Sequence, residues 1–94
     1  MNTQCELVKL PTDFSGFNVD KLAEDFDQLA QSCKETVILD FSATEFIDSS
    51  GIGAMVFLYK RIEKKGVTLQ LMNVSGQPEK LMKLLRVDKT IAFI

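Results

Sequence analysis

The feature that most constrains the fold is a short apolar run rich in branched side chains, Val37-Ile38-Leu39-Asp40-Phe41. A continuous run of this length is typical of a strand that is covered on both faces, as in a parallel sheet. Helical periodicity precedes the run over residues 18–34 and follows it over residues 50–65. Because parallel strands need long crossover connections, this alternation favours an α/β fold.

The remaining segments continue the alternation of strands and helices. Strands are predicted over residues 6–10, 37–41, 67–74 and 91–94, and helices over residues 18–34, 50–65 and the segment after Pro78. A loop is predicted over residues 11–17, which contain a proline and a glycine. We therefore expect a mainly parallel central sheet of about four strands, with helices packed on it through right-handed crossovers.

Individual residues sharpen the helix predictions. Asn18 is a residue type that favours the N-cap of the first helix, and Cys33 falls on the apolar face of that helix. Leu81, Leu84 and Leu85 are predicted to form the buried face of the last helix.

Length and charge exclude several classes of protein. The chain has 94 residues, which fits one domain over residues 1–94. Its formal net charge is -2, whereas nucleic-acid binders usually carry a basic excess on one face. The longest apolar run, residues 52–59, is far shorter than the roughly 20 residues that cross a bilayer. The N-terminus lacks the features of a signal peptide, so we expect a cytoplasmic protein without a membrane span.

The chain contains no histidine, which removes the Ser-His-Asp triad, the Cys-His pair and most zinc sites. Its two cysteines, Cys5 and Cys33, are too few and too far apart for a disulfide framework or a metal site. We therefore expect no metal, no cofactor and no enzymatic activity.

The loop after the run at residues 37–41 is the place to look for a site, because ligands and partners of α/β proteins gather where strands lead into helices. It contains hydroxyls, a carboxylate and two glycines at a helix entrance, Asp48-Ser49-Ser50-Gly51-Ile52-Gly53. Each glycine costs a helix roughly 1 kcal/mol relative to alanine. Two in one turn indicate a close approach there, either by a partner or by the chain's own sheet.

Asp48, Ser49 and Ser50 are all residue types that cap helices. A helix needs one N-cap, so at least one of the two hydroxyls should remain free. A phosphate on that hydroxyl would meet the positive end of the helix dipole and exposed N–H groups, which favour anions.

The segment over residues 37–53 strongly resembles the STAS domain of bacterial anti-sigma factor antagonists. The resemblance rests on the apolar strand, Asp40, Phe46-Ile47 and the run at residues 48–53, and continues through the Lys64-Lys65-Gly66 helix end to the last helix. Near that helix the family often has a Gly-Leu pair where this chain has Arg86-Val87. The family also has a strand before the one aligned with residues 6–10, for which little chain remains.

The resemblance implies a partner-switching role. An unmodified antagonist binds an anti-sigma factor that is also a serine kinase, phosphorylation ends that binding, and a PP2C-type phosphatase restores it. By this alignment Ser49 is the phosphoacceptor and Asp48 its flanking carboxylate. The resemblance also implies that the partner-binding residues are Asp48, Ser50, Gly51, Ile52 and Gly53.

Two other functions compete with this one. An enzyme with Ser49 or Ser50 as nucleophile lacks a base, and the segment lacks the first glycine of a nucleophile elbow. An unphosphorylated STAS subunit of a lipid-transport ABC complex, or of another complex, is the stronger rival, although such subunits often alter the Asp-Ser-Ser-Gly motif that this chain keeps.

Overall fold

The structure, a computed structural model, describes residues 5–94. The strands are β1 (Cys5–Lys9), β2 (Asp13–Phe14), β3 (Thr36–Asp40), β4 (Phe46–Ile47), β5 (Thr68–Met72) and β6 (Ala92–Phe93). The helices are α1 (Gly16–Ser32), α2 (Ser49–Glu63) and α3 (Gly76–Leu84), and a 3-10 turn follows over Val87–Lys89. The strand that the family places before β1 would fall on residues 1–4, outside the described residues.

The main sheet has the strand order β1-β3-β5-β6, and every pair is parallel. The predicted α/β fold with a mainly parallel sheet of about four strands is confirmed, and β1 lies at an edge of the described sheet. The loop predicted over residues 11–17 was wrong in part, because it contains β2, which pairs with β4 in a separate two-stranded ladder.

The strand order explains which face of the sheet is covered. The strands of the main sheet follow one another across the sheet in the same order as along the chain. Because all the crossovers run in one direction and are right-handed, the helices lie on one face of the sheet. Leu39 and Leu71 lie on that face and are fully buried, whereas Leu7 on the opposite face is 58% exposed. In β3 itself, Thr36, Ile38 and Asp40 lie on this opposite face and are partly exposed, so the prediction that the central strand is covered on both faces was wrong.

The core between the sheet and the helices is continuous. Its members are buried aliphatic, aromatic and sulfur-containing side chains from all three helices and from β3 and β5, among them Phe26, Ala30, Val37, Leu39, Met55, Leu58, Ile62, Leu71 and Met82. Within the described residues, no helix is long and apolar enough to cross a membrane.

Helix α1 begins two residues before the predicted position. Its N-cap residue is Ser15, and Asn18 lies in the first turn, where its side-chain amide donates to the carbonyl oxygen of Asp13 at 2.8 Å. The prediction that Asn18 caps this helix was therefore wrong. Cys33 is buried as expected, at the C-cap rather than on the helix itself.

The last helix buries a different face from the one predicted. Pro78 and Met82 are its buried residues, whereas Leu84 is 77% exposed and Leu85 is 53% exposed. The prediction for these two leucines was wrong because the helix ends at Leu84 and the chain turns sharply at Arg86. Arg86 has a φ of 63°, in the left-handed region, and this turn directs Val87 into the core.

We expect Arg86→Gly to stabilise the protein. A non-glycine residue in the left-handed region costs about 1–2 kcal/mol, which glycine would relieve. Glycine also makes the unfolded chain more flexible, which offsets part of this stabilisation. The free energy of unfolding should therefore rise by about 0.5–1 kcal/mol. Thermal unfolding would show this as a Tm several degrees higher. The matched control is Arg86→Ala, which removes the guanidinium but keeps the strained backbone. Equal Tm values for the two variants would contradict this explanation.

Candidate functional site

The carboxylate of Asp48 caps helix α2. Asp48 has an extended backbone, and its side chain accepts a hydrogen bond from the backbone N–H of Gly51 at 3.0 Å. The carbonyl oxygen of Asp48 accepts from the N–H of Ile52 at 3.0 Å, which is the first helical bond. Of the three cap-type residues in this segment, Asp48 is thus the one that caps.

The two serines that follow Asp48 are exposed. Within residues 5–94, neither the Ser49 hydroxyl nor the Ser50 hydroxyl has a hydrogen-bond partner. The backbone N–H groups of the first turn are among those that a helix leaves without an internal acceptor. Two free hydroxyls therefore lie at the positive end of a helix, in contact with solvent.

The two glycines of α2 differ in their surroundings. A Cβ on Gly51 would lie 2.8 Å from Cγ1 of Ile47 and closer still to the carbonyl oxygen of Phe14. A Cβ on Gly53 would have no neighbour within 4 Å, and Gly53 is exposed. Gly51 is therefore needed for packing of the helix against the β2–β4 ladder, whereas Gly53 leaves an open surface one turn beyond Ser49.

The β2–β4 ladder packs against the start of α2. Phe14 pairs with Ile47, and both side chains are fully buried. Gln77, near the start of α3, holds β4 from the other side: its amide nitrogen donates to the carbonyl oxygen of Ile47 at 2.9 Å, and its amide oxygen accepts from the N–H of Ile47 at 2.9 Å. Sequence analysis missed Gln77, because no local pattern indicates that its side chain pairs with a strand thirty residues earlier.

Phe46 is a second residue that the sequence analysis did not single out as a contact. It alternates with Ile47 along β4, so that Ile47 is fully buried and Phe46 is 46% exposed. The exposed aromatic ring belongs to the residue two positions before Asp48. An exposed apolar side chain therefore closely precedes, along the chain, the charged and hydroxyl groups at the start of α2, and exposed aromatic residues are enriched in surfaces that bind other proteins. A two-residue strand is too short for its alternation to be read from the sequence.

Asp40 ties the end of β3 to the loops around it. Its carboxylate accepts hydrogen bonds from the side-chain amide of Asn73 at 3.0 Å and from the backbone N–H and the hydroxyl of Ser42 at 2.9 Å and 3.1 Å. The bond from Asn73, followed by the backbone bond from Ser42, lowers the pKa of Asp40 below its ordinary value of 3.8. Within residues 5–94, no group of three or more potential ligand side chains could hold a metal ion.

Comparison with known families gives a match over nearly the whole chain. A family model described as the STAS domain matches residues 2–94. An anti-sigma-factor antagonist (STAS) domain protein from Planctomyces limnophilus has a similar structure, with a TM-score of 0.85, 22% sequence identity, and coverage of 93% of this chain and 79% of that one.

The anti-sigma factor antagonist SpoIIAA is similar in both of its forms. The unphosphorylated form has a TM-score of 0.77 at 20% identity and covers 100% of this chain and 83% of its own. The phosphorylated form, described as a cell fate determinant from Bacillus, has a TM-score of 0.75 at 20% identity, with coverage of 100% and 86%. At these identities the likeness shows a shared fold.

A plant protein is similar in sequence over part of the chain. Sulfate transporter 3.1 from Arabidopsis thaliana is 37% identical over 59 residues, which make up 63% of this chain and 9% of that protein. The chain thus spans less than a tenth of the length of this curated relative.

The two glycines of α2 give a matched pair of variants. Gly51→Ala should lower the free energy of unfolding by about 1–3 kcal/mol, because the added methyl overlaps backbone that cannot move away freely. Gly53→Ala should leave it unchanged or raise it by up to about 1 kcal/mol, because alanine favours the helix and the site is open. Urea unfolding measures both. Equal effects of the two substitutions would contradict the close packing of Gly51.

Asp40→Asn should destabilise the protein in a pH-dependent way. The pKa of Asp40 is lower in the folded state than in the unfolded state, so its contribution is fully present above the unfolded value and is lost as the pH falls through the folded value. Urea unfolding at a series of pH values should therefore show the largest difference between wild type and variant near neutral pH and a smaller one below the ordinary pKa of 3.8. A difference that does not change with pH would contradict the role of the charge.

Proposed function

The chain belongs to the STAS domain family, whose model matches residues 2–94, and from that premise we propose that it is a partner-switching regulator. In this proposal the whole chain acts as one domain that binds a serine kinase of the anti-sigma factor type. Phosphorylation of Ser49 by that kinase ends the binding, and a PP2C-type phosphatase restores it.

The observation that carries the proposal is the free and exposed hydroxyl of Ser49. Asp48 occupies the capping position, so Ser49 is not needed to hold the helix. A kinase must reach a serine hydroxyl and leave room for the phosphate, and the exposure of residues 49, 50 and 53 supports both requirements. The existence of phosphorylated and unphosphorylated forms of the structurally similar SpoIIAA is in keeping with modification on this fold.

Electrostatic repulsion explains why phosphorylation of Ser49 would weaken the binding of the partner. A phosphate adds ~1.5 to 2 negative charges. Within the chain these charges face the positive end of α2, whose first turn contains no acidic side chain. In a complex they would also face whatever acidic groups the partner presents, beside the carboxylate of Asp48. Repulsion of about 3 kcal/mol in the bound state would weaken binding roughly a hundredfold.

The proposed partner-binding residues act in two ways. Ser50 and Gly53 are exposed and Asp48 is half-buried, so these three are available for direct contact. Gly51 and Ile52 are buried, and their proposed role is to position the helix start. We add Phe46 to the contact surface, because its exposed ring lies at the end of β4 that leads into Asp48.

The protein itself is proposed to catalyse no reaction. No group from residues 5–94 bonds to the Ser49 or Ser50 hydroxyl, and the carboxylate of the preceding residue, Asp48, already accepts from the N–H of Gly51. A serine nucleophile requires a base within hydrogen-bond reach. We place the protein in the cytoplasm, where a kinase has access to ATP.

A second candidate function is that of an unphosphorylated STAS module within a transport complex, either the lipid ABC type or another. The identity of 37% to a segment of a plant sulfate transporter favours this candidate. In that case the surface around α2 would bind one partner permanently, and a charge at position 49 would serve no regulatory purpose.

Ser49→Ala and Ser50→Ala test the phosphorylation site directly. We expect the protein isolated from its native cells in the presence of phosphatase inhibitors to contain a fraction heavier by one phosphate group in intact-mass measurements. Ser49→Ala should lack this fraction, and Ser50→Ala should retain it, because both hydroxyls are exposed but only Ser49 aligns with the phosphoacceptor of the family. A wild-type protein without the added mass, or a fraction that depends on Ser50 alone, would exclude the proposal and favour the permanent module.

A further inference from the structure

An apolar groove runs between α1 and α2, and none of the residues proposed to bind the partner lines it. It has a volume of about 440 Å³. Its apolar lining comes from both helices: Val19, Ala23, Phe26, Ala54, Phe57 and Leu58. Phe57 is 63% exposed, which is high for an aromatic side chain in a chain of this size. The groove therefore keeps a substantial apolar surface in contact with water.

The rim of this groove on the α1 side is acidic. Asp20 and Glu24 line it and are exposed, and neither forms an ion pair with any residue from 5 to 94. Asp27 is paired with Arg61 at 2.7 Å, and the guanidinium of Arg61 lies 5.5 Å from the centre of the Phe57 ring. Arg61 is thus already engaged, and the free charge of the rim is negative.

A surface of the opposite kind lies at the end of α3. Leu84 and Leu85 are exposed and are flanked along the chain by Lys83 and Arg86. Lys83 forms only an exposed pair with Glu79 at 3.1 Å, of a kind that contributes little to stability. Arg86 has no ion-pair partner within residues 5–94 and occupies a backbone conformation that glycine would adopt more easily. We refer to residues 83–86 as the basic tip.

From this complementarity we infer that a second copy of the chain docks its basic tip into the α1–α2 groove. The two leucines meet the apolar lining, while Lys83 and Arg86 meet Asp20 and Glu24. Because the tip and the groove are different surfaces, the contact is head-to-tail and leaves a free tip and a free groove at the two ends. The basic tip has only four residues, whereas a stable interface has roughly 20–30 residues on each side. We therefore expect a weak association that depends on protein concentration.

Two variants separate the two sides of this contact. The tip variant carries Leu84→Ser with Leu85→Ser, and the groove variant carries Asp20→Lys with Glu24→Lys; all four positions are exposed. Sedimentation velocity on the wild type should show the average sedimentation coefficient rising from low micromolar to millimolar concentration. Each variant alone should remain a monomer over this range, with the Tm of the wild type as the check on folding.

The decisive sample is an equimolar mixture of the two variants. The groove variant retains an intact tip and the tip variant retains an intact groove, so the mixture should form a one-to-one dimer that cannot grow further. A monomeric wild type, a self-associating tip variant or a monomeric mixture would each overturn the inference and leave both surfaces to other partners. The inference does not rest on the proposed function. Ser49 is intact in every sample, and its phosphorylation is tested separately by the intact-mass measurement.

Discussion

The close contact between Gly51 and the backbone of Phe14 fixes the position of helix α2, and the site depends on it. No side chain fits at position 51, because a Cβ would overlap the Phe14 carbonyl oxygen and crowd Ile47. The first turn of the helix therefore lies directly on the β2–β4 ladder, which Gln77 holds from the side of α3. Because the helix start is fixed and is capped by Asp48, the hydroxyls of the next two residues are not needed to cap the helix. Both residues lie in solvent.

This arrangement separates what a phosphate would do to the protein from what it would do to a complex. Inside the protein, a negative group at the start of α2 is favoured by the helix dipole, so modification need not disturb the fold. The similarity of this chain to both forms of SpoIIAA, with TM-scores of 0.77 and 0.75, is consistent with a fold that tolerates both states. The regulation that we propose is therefore electrostatic and local to the docking surface, without a conformational change in the core.

The sequence was sufficient for the fold class and for the helix start at which the candidate site is proposed. The branched strand at residues 37–41 and the helical patterns on either side were strong local signals, and the cap-type residues at positions 48–50 marked the start of α2. Strand order has no local signal, so the single covered face of the sheet could not be foreseen. The different roles of Gly51 and Gly53 could not be predicted either, because they depend on how closely Phe14 and Ile47 approach each position in the folded chain. The left-handed turn at Arg86 was visible only as a departure from the Gly-Leu pair of the family.

The central claim is that a charge at Ser49 decides whether the partner binds. It is tested most directly by preparing the chain with phosphoserine at position 49 and titrating it, alongside the unmodified chain, against the serine kinase that modifies it. The account predicts roughly hundredfold weaker binding of the phosphorylated chain, equivalent to about 3 kcal/mol. Equal affinities for the two forms would contradict it.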